Sequence, residues 1–138
     1  MSRLINEVIN KINVKSLNGS DLAYIGDAYY ELYIRSYLLS KGIRKPNDLH
    51  NMCKNYVCAK THAIIINNIM DKLTEEEIDA FHRGKNYNYK HTNKSANLTE
   101  YLLSSGFEAL IGYLYINNKN DRLDEILGLS VKIIEELN

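Results

Sequence analysis

The chain has little with which to staple, kink or anchor itself. Among its 138 residues are two cysteines and one proline. Cys53 and Cys58 are too few and too locally spaced for a disulfide framework, and no apolar run is long enough for a membrane span or the core of a signal peptide. These absences predict a reducing, cytosolic setting and no membrane partner. A glycine-rich phosphate cradle, a serine nucleophile elbow and a dinucleotide fingerprint are also missing, which excludes the fold classes built on them. Strand-like alternation is nearly absent, and there is neither an internal repeat nor a low-complexity tail. Net charge is lacking too, with 17 basic residues balanced by 17 acidic ones.

What remains is helical. Apolar residues recur at spacings of three and four, and seven glycines interrupt them, so the expected fold is all-α, in one domain over residues 1–138. Leu4, Ile5, Val8, Ile9 and Ile12 predict an opening amphipathic helix within residues 1–16. After the Asn18-Gly19 turn, Ser20 or Asp21 is placed to cap a long helix reaching about Ser40, closed by Gly42. Pro46 suits the first turn of the next helix, and Ile64, Ile65, Ile66, Ile69 and Met70 form a core stripe in the one after it. Thr74 and Glu77 have the spacing of a capping box. The short helix they start is expected to end near Gly84, leaving residues 84–97 as a loop rich in lysine, asparagine and tyrosine. Helices from about Leu98 to Asn117 and from Asp121 to Leu137 complete the chain.

The balanced charge is unevenly spread. Lys41, Arg44, Lys45, Lys54 and Lys60 meet only Asp48 between residues 41 and 70, and Arg83, Lys85, Lys90 and Lys94 meet no acid between 82 and 98. Local patches of one sign steer a polyanion more than the total does.

Two acids stand apart from this surface charge. Asp27, in Leu22-Ala23-Tyr24-Ile25-Gly26-Asp27-Ala28, and Glu108, in Gly106-Phe107-Glu108-Ala109-Leu110-Ile111-Gly112, each sit in an apolar helical stretch beside glycine. Glycine inside a helix costs about 0.5–1 kcal/mol relative to alanine, so Gly26 and Gly112 call for a close helix crossing. A crossing there would bring both carboxylates toward one point, with Ser104 and Ser105 on the face of Glu108 and Glu31 one turn beyond Asp27. Two carboxylates in such a place suit a divalent cation such as magnesium. They equally suit two separate buried ion pairs, and the spacing does not choose.

The wording of the segments does. Tyr24-Ile25-Gly26-Asp27-Ala28 resembles the signature helix of the ribonuclease III family, and Phe107-Glu108-Ala109-Leu110-Ile111-Gly112 is similar to that family's second acidic helix. A catalytic domain with no room for a following double-stranded-RNA-binding domain is similar to the Mini-III group of that family. The resemblance implies a homodimeric endoribonuclease that uses Mg²⁺, with Mn²⁺ able to substitute. It would cut both strands of duplex RNA to 5′-phosphate and 3′-hydroxyl ends, in the maturation of the large-subunit ribosomal RNA precursor. A ribosomal protein that presents the RNA is a further partner it suggests.

Asp27 and Glu108 match two of the family's catalytic, metal-binding acids. Full-length members carry further acids where this chain has Ser20, Ala23 and Ser105, so the resemblance implies a pared-down cage, with Glu31 as a candidate substitute ligand. Tyr24 matches an aromatic that fills a pocket of the partner subunit; a plain core aromatic is the alternative. Duplex RNA is read through phosphates and 2′-hydroxyls, so Arg83, Lys85, Asn86, Lys90 and Lys94 are the candidate RNA contacts. The rival function is a non-catalytic module of the same fold that binds structured RNA or a ribosomal partner. His50, Cys53, Cys58 and His62 only superficially resemble a zinc knuckle: their segment has a helical apolar pattern, and the cysteines read as small buried apolar residues.

Overall fold

The computed structural model describes residues 2–91 and 97–137, with residues 88–91 described by backbone alone. Among these residues every regular element is helical: α1 Arg3–Asn10, α2 Gly19–Ser40, α3 Pro46–Val57, α4 Ala59–Ile69, α5 Glu75–His91, α6 Leu98–Ile116 and α7 Asn120–Glu136. The all-α expectation is met.

Helix α6 is apolar on nearly every side, and such a helix has to be covered all round. Helices α2, α4, α5 and α7 all pack on it. Phe107, Leu110, Ile111 and Leu114 of α6 are buried against Tyr30, Ile34 and Leu38 of α2, Ile65, Ile66 and Ile69 of α4, Phe81 of α5, and Leu123, Ile126 and Leu127 of α7. Local chemistry sets several ends. Pro46 is the first residue of α3. Thr74 and Glu77 form the expected box, the Glu77 amide donating to the Thr74 hydroxyl at 3.2 Å and the Thr74 amide to the Glu77 carboxylate at 2.9 Å. Arg122 of α7 then reaches back to that carboxylate at 2.8 Å, tying the start of α5 to α7.

Three expectations about boundaries are corrected. The opening helix stops at Asn10, and a 3₁₀ turn over Val14–Ser16 follows; Ser16 donates its hydroxyl to the Asn13 carbonyl at 2.7 Å, a local bond that competes with helix continuation. The cap of α2 is Asn18, not Ser20 or Asp21. Its side chain accepts from the Asp21 amide at 2.8 Å, while Asp21 accepts from the Asn18 amide at 3.0 Å.

The third correction matters most for function. Residues 84–91 are not a loop but the second half of α5. A Cβ on Gly84 would lie 2.4 Å from the Ala109 Cβ and 2.7 Å from the Ser105 carbonyl oxygen, so α5 lies directly on α6 at this point. That tertiary contact carries the helix onward through a segment whose own apolar pattern has ended. Cys58 also departs from expectation. It is exposed in the break between α3 and α4, its sulfur 3.1 Å from the Thr61 hydroxyl.

Candidate metal and RNA site

Helices α2 and α6 meet where the two glycines predict. A Cβ on Gly26 would come within 1.8 Å of the Glu108 carbonyl oxygen, and one on Gly112 within 1.9 Å of the Leu22 carbonyl oxygen. No larger residue fits either place without parting the helices. Ala23 and Ala109, with Leu22, fill the rest of the crossing.

The crossing sets Asp27 beside Glu108, close enough for their carboxyl groups to share a hydrogen bond. Asp27 is exposed and Glu108 is half-buried, so the pair opens to solvent from a mostly apolar floor. Burial, together with the hydrogen bond and negative charge of Asp27, pushes the Glu108 carboxyl up to about 9. Two carboxyl groups held this close present the oxygen donors that a hard divalent cation takes. The donor set thus fits magnesium, with Asp27 and Glu108 as the residues that could hold it.

Glu31 does not join them. It pairs with Arg35 at 2.6 Å and lines a cavity of about 400 Å³ between α2 and α3. Among the described residues no cluster of three His, Cys, Asp or Glu side chains forms. Ala23 and Ser105 are both buried and bring no charge to the pair.

The candidate RNA contacts divide. The Arg83 guanidinium donates to the Leu17 carbonyl and is half-buried, so it braces α5 against the connection into α2. Lys85 and Asn86 border a groove with Thr99, Leu102 and Leu103 of α6. Leu102 and Glu108 are six positions apart, about 9 Å along the helix axis. Lys90 is placed by backbone alone at the end of α5, and Lys94 lies outside the described residues. Tyr24 is 83 % exposed, which removes the core reading. Its ring borders an apolar groove with Leu4, Val8, Ile12 and Ile25.

Beneath the acids lies a residue that the sequence had offered only as part of a rejected zinc arrangement. His62 of α4 is fully buried. Its Nδ1 is hydrogen-bonded to the Ser104 hydroxyl at 2.8 Å, and its ring meets Tyr30 edge-on and Phe107 at a tilt, each with centroids 5.0 Å apart. Burial pushes its pKa down to about 4, against the opposing pull of Asp27. The signal available in the sequence was its register: His62, Ile65, Ile66 and Ile69 share one core face.

Residues 20–119 match the ribonuclease III domain. The chain belongs to the ribonuclease III family, in its Mini-ribonuclease 3 branch. It is 44 % identical over 126 residues to the Mini-ribonuclease 3 of Enterococcus faecalis, covering 90 % of this chain and 96 % of that one. The corresponding protein of Clostridium tetani is 40 % identical over 133 residues, covering 96 % and 88 %. That of Symbiobacterium thermophilum is 45 % identical over 114 residues, covering 83 % and 88 %. A crystal structure of a Fusobacterium nucleatum protein superposes with a TM-score of 0.76 at 32 % identity, covering 87 % of this chain and 96 % of that one. A ribonuclease III-family chain of this branch is an endoribonuclease, which displaces the non-catalytic rival. No helix among its described residues is long and apolar enough to cross a membrane.

Proposed function

We propose that this endoribonuclease is a magnesium-dependent homodimer that hydrolyses both strands of duplex RNA in the bacterial cytosol. Its products carry 5′-phosphates and 3′-hydroxyls, and its physiological task is to trim the large-subunit ribosomal RNA precursor, with a ribosomal protein as a candidate presenter of that RNA. The observation that carries the reading is the convergence of Asp27 and Glu108 across the Gly26–Gly112 crossing. The names of the relatives supply the reaction class.

Asp27 and Glu108 would hold Mg²⁺, or Mn²⁺ in its place. When bound, such an ion makes water a better nucleophile and offsets the charge that builds on a phosphodiester under attack. The chain's own part is to fix the two carboxylates on rigid helices and to keep Glu108 deprotonated only when a cation replaces its proton. With two protein carboxylates rather than a full cage, affinity for the ion is expected to be weak until RNA phosphate adds oxygens. Lys85 and Asn86 position the duplex backbone along α5, and Lys90 and Lys94 are further candidate contacts by sequence alone. Arg83 supports them by fixing α5 to Leu17.

The test is cleavage of a long RNA duplex by the purified chain with Mg²⁺, beside Asp27→Asn and Glu108→Gln. Wild type should cut, and each variant should lose about a hundredfold or more in kcat. Undiminished cutting by either variant, or by wild type in excess chelator, would overturn the site. Binding without cutting by all three would restore a non-catalytic module.

A further inference from the structure

Among the described residues, the buried side-chain polar atom left without a hydrogen-bond partner is Nε2 of His62. Such atoms are rare because each forfeits its bond to water, so a folded chain that retains one invites a reason. Packing is not a sufficient one. A leucine would fill the same place between Tyr30 and Phe107 with no polar atom to satisfy.

The surroundings supply the reason. Tyr30 follows Asp27 by three residues on α2, and Ser104 precedes Glu108 by four on α6, so each neighbour of His62 shares a helix face with one of the two acids. The imidazole therefore lies about one helical turn from the carboxylate pair along both helices, within the electrostatic reach of Asp27. A neutral imidazole has one donor and one acceptor nitrogen, and its partner at one fixes the proton at the other. If Nδ1 carried the proton, Nε2 would hold an unshared lone pair in the field of Asp27. If the Ser104 hydroxyl donates to Nδ1, Nε2 carries the proton and its N–H is attracted by that same charge.

We propose that His62 is a positioning residue for the Asp27–Glu108 site, held by the Ser104 hydroxyl as the Nε2–H tautomer so that its unpaired N–H sets the positive end of a fixed dipole beside the carboxylate pair. The proposal rests on the reading of that pair as the catalytic site. The ring remains neutral because burial disfavours the imidazolium, so it contributes a dipole of fixed direction and takes no part in proton transfer. His62 and Ser104 belong to different helices, and the pair also locks α4 to α6 under the site. Groups that support metal-holding side chains from outside the ligand set typically change metal affinity or activity by about 10- to 100-fold when removed.

The test begins with the tautomer. In protein labelled with ¹⁵N-histidine, two-bond proton–nitrogen correlation should show His62 as a single Nε2–H species at neutral pH, and Ser104→Ala should turn it into a mixture. Addition of Mg²⁺ should shift the Nε2–H resonance. An Nδ1–H species in the wild type, or a ring indifferent to Ser104→Ala, overturns the proposal. Kinetics supply the second arm. His62→Leu should keep or raise the melting temperature and leave KM for duplex RNA unchanged, yet lower kcat or raise the Mg²⁺ requirement by about tenfold. His62→Gln, whose side-chain amide can donate from near the Nε2 position, should recover most of that loss. Equal kcat and Mg²⁺ dependence for His62→Leu and wild type, or no recovery by His62→Gln, would return His62 to a packing role. If His62→Leu does not fold, the tautomer measurements decide. Activity surviving in Asp27→Asn would instead sink the reading of the site, and the tautomer arm would still report on His62.

Discussion

At the scale of single residues, Glu108 stands far from the ordinary state of a carboxyl group. Burial, the hydrogen bond with Asp27 and the charge of Asp27 lift its carboxyl from 4.5 to about 9. The folded, cation-free protein therefore keeps a proton there that the unfolded chain releases. Between those two values the native state binds more protons than the unfolded one, so this contribution is full below pH 4.5 and is lost as pH rises toward 9. Urea midpoints measured in chelator across that range should fall for wild type, and Glu108→Gln should flatten the decline. The same proton competes with a cation, so apparent Mg²⁺ affinity should rise over the same interval, which a titration at several pH values would record. Ser105 and Ala23 offer nothing to this balance because both are buried without charge.

Among the elements, the α2–α6 crossing decides whether the site exists. Gly26→Ala would set a methyl group 1.8 Å from the Glu108 carbonyl oxygen. The helices would have to separate, and the expected cost is about 3 kcal/mol with loss of cleavage, read from urea midpoints and the duplex assay together. Gly128 is the contrast. It lies in the interior of α7, and a Cβ there would meet nothing within 4 Å. Gly128→Ala should raise stability by about 0.5–1 kcal/mol and leave cleavage unchanged. Together the two substitutions separate a glycine required by contact from one that is merely present. Helix α5 makes a related point, since its second half is sustained by Gly84 against Ala109 and Ser105 and not by its own apolar pattern.

For the molecule as a whole, assembly and substrate binding are matters of surface. Leu4, Val8 and Tyr24 are 67, 61 and 83 % exposed and border one apolar groove with Ile12 and Ile25. A face of this kind suits a second copy of the chain. Tyr24→Ala should raise the dimer dissociation constant by at least about tenfold, measured by sedimentation or light scattering. A wild-type monomer at micromolar concentration would count against cleavage of both strands by paired sites. RNA binding is a second surface property. Lys85→Ala should weaken duplex binding and make its salt dependence shallower, by about one unit of log–log slope if that lysine neutralises one phosphate.

Much of this was legible in the chain before folding. The three- and four-residue apolar spacing, Pro46 and the Thr74–Glu77 box are local signals, and they located helices whose ends hydrogen-bond as those residues dictate. Gly26 and Gly112 were legible as contact points because glycine within a helix carries a cost that close approach offsets. Helical class, family and the identity of the two acids that meet all follow from the order of residues. Packing was needed for the continuation of α5 past Gly84, the pairing of Glu31 with Arg35, the exposure of Tyr24 and the burial of His62 under the site. Each of these depends on which groups lie close in space, and most of those groups are distant along the chain. Periodicity reports which face of a helix is buried, whereas only the assembled fold brings Ser104 to His62 and Asp27 to Glu108.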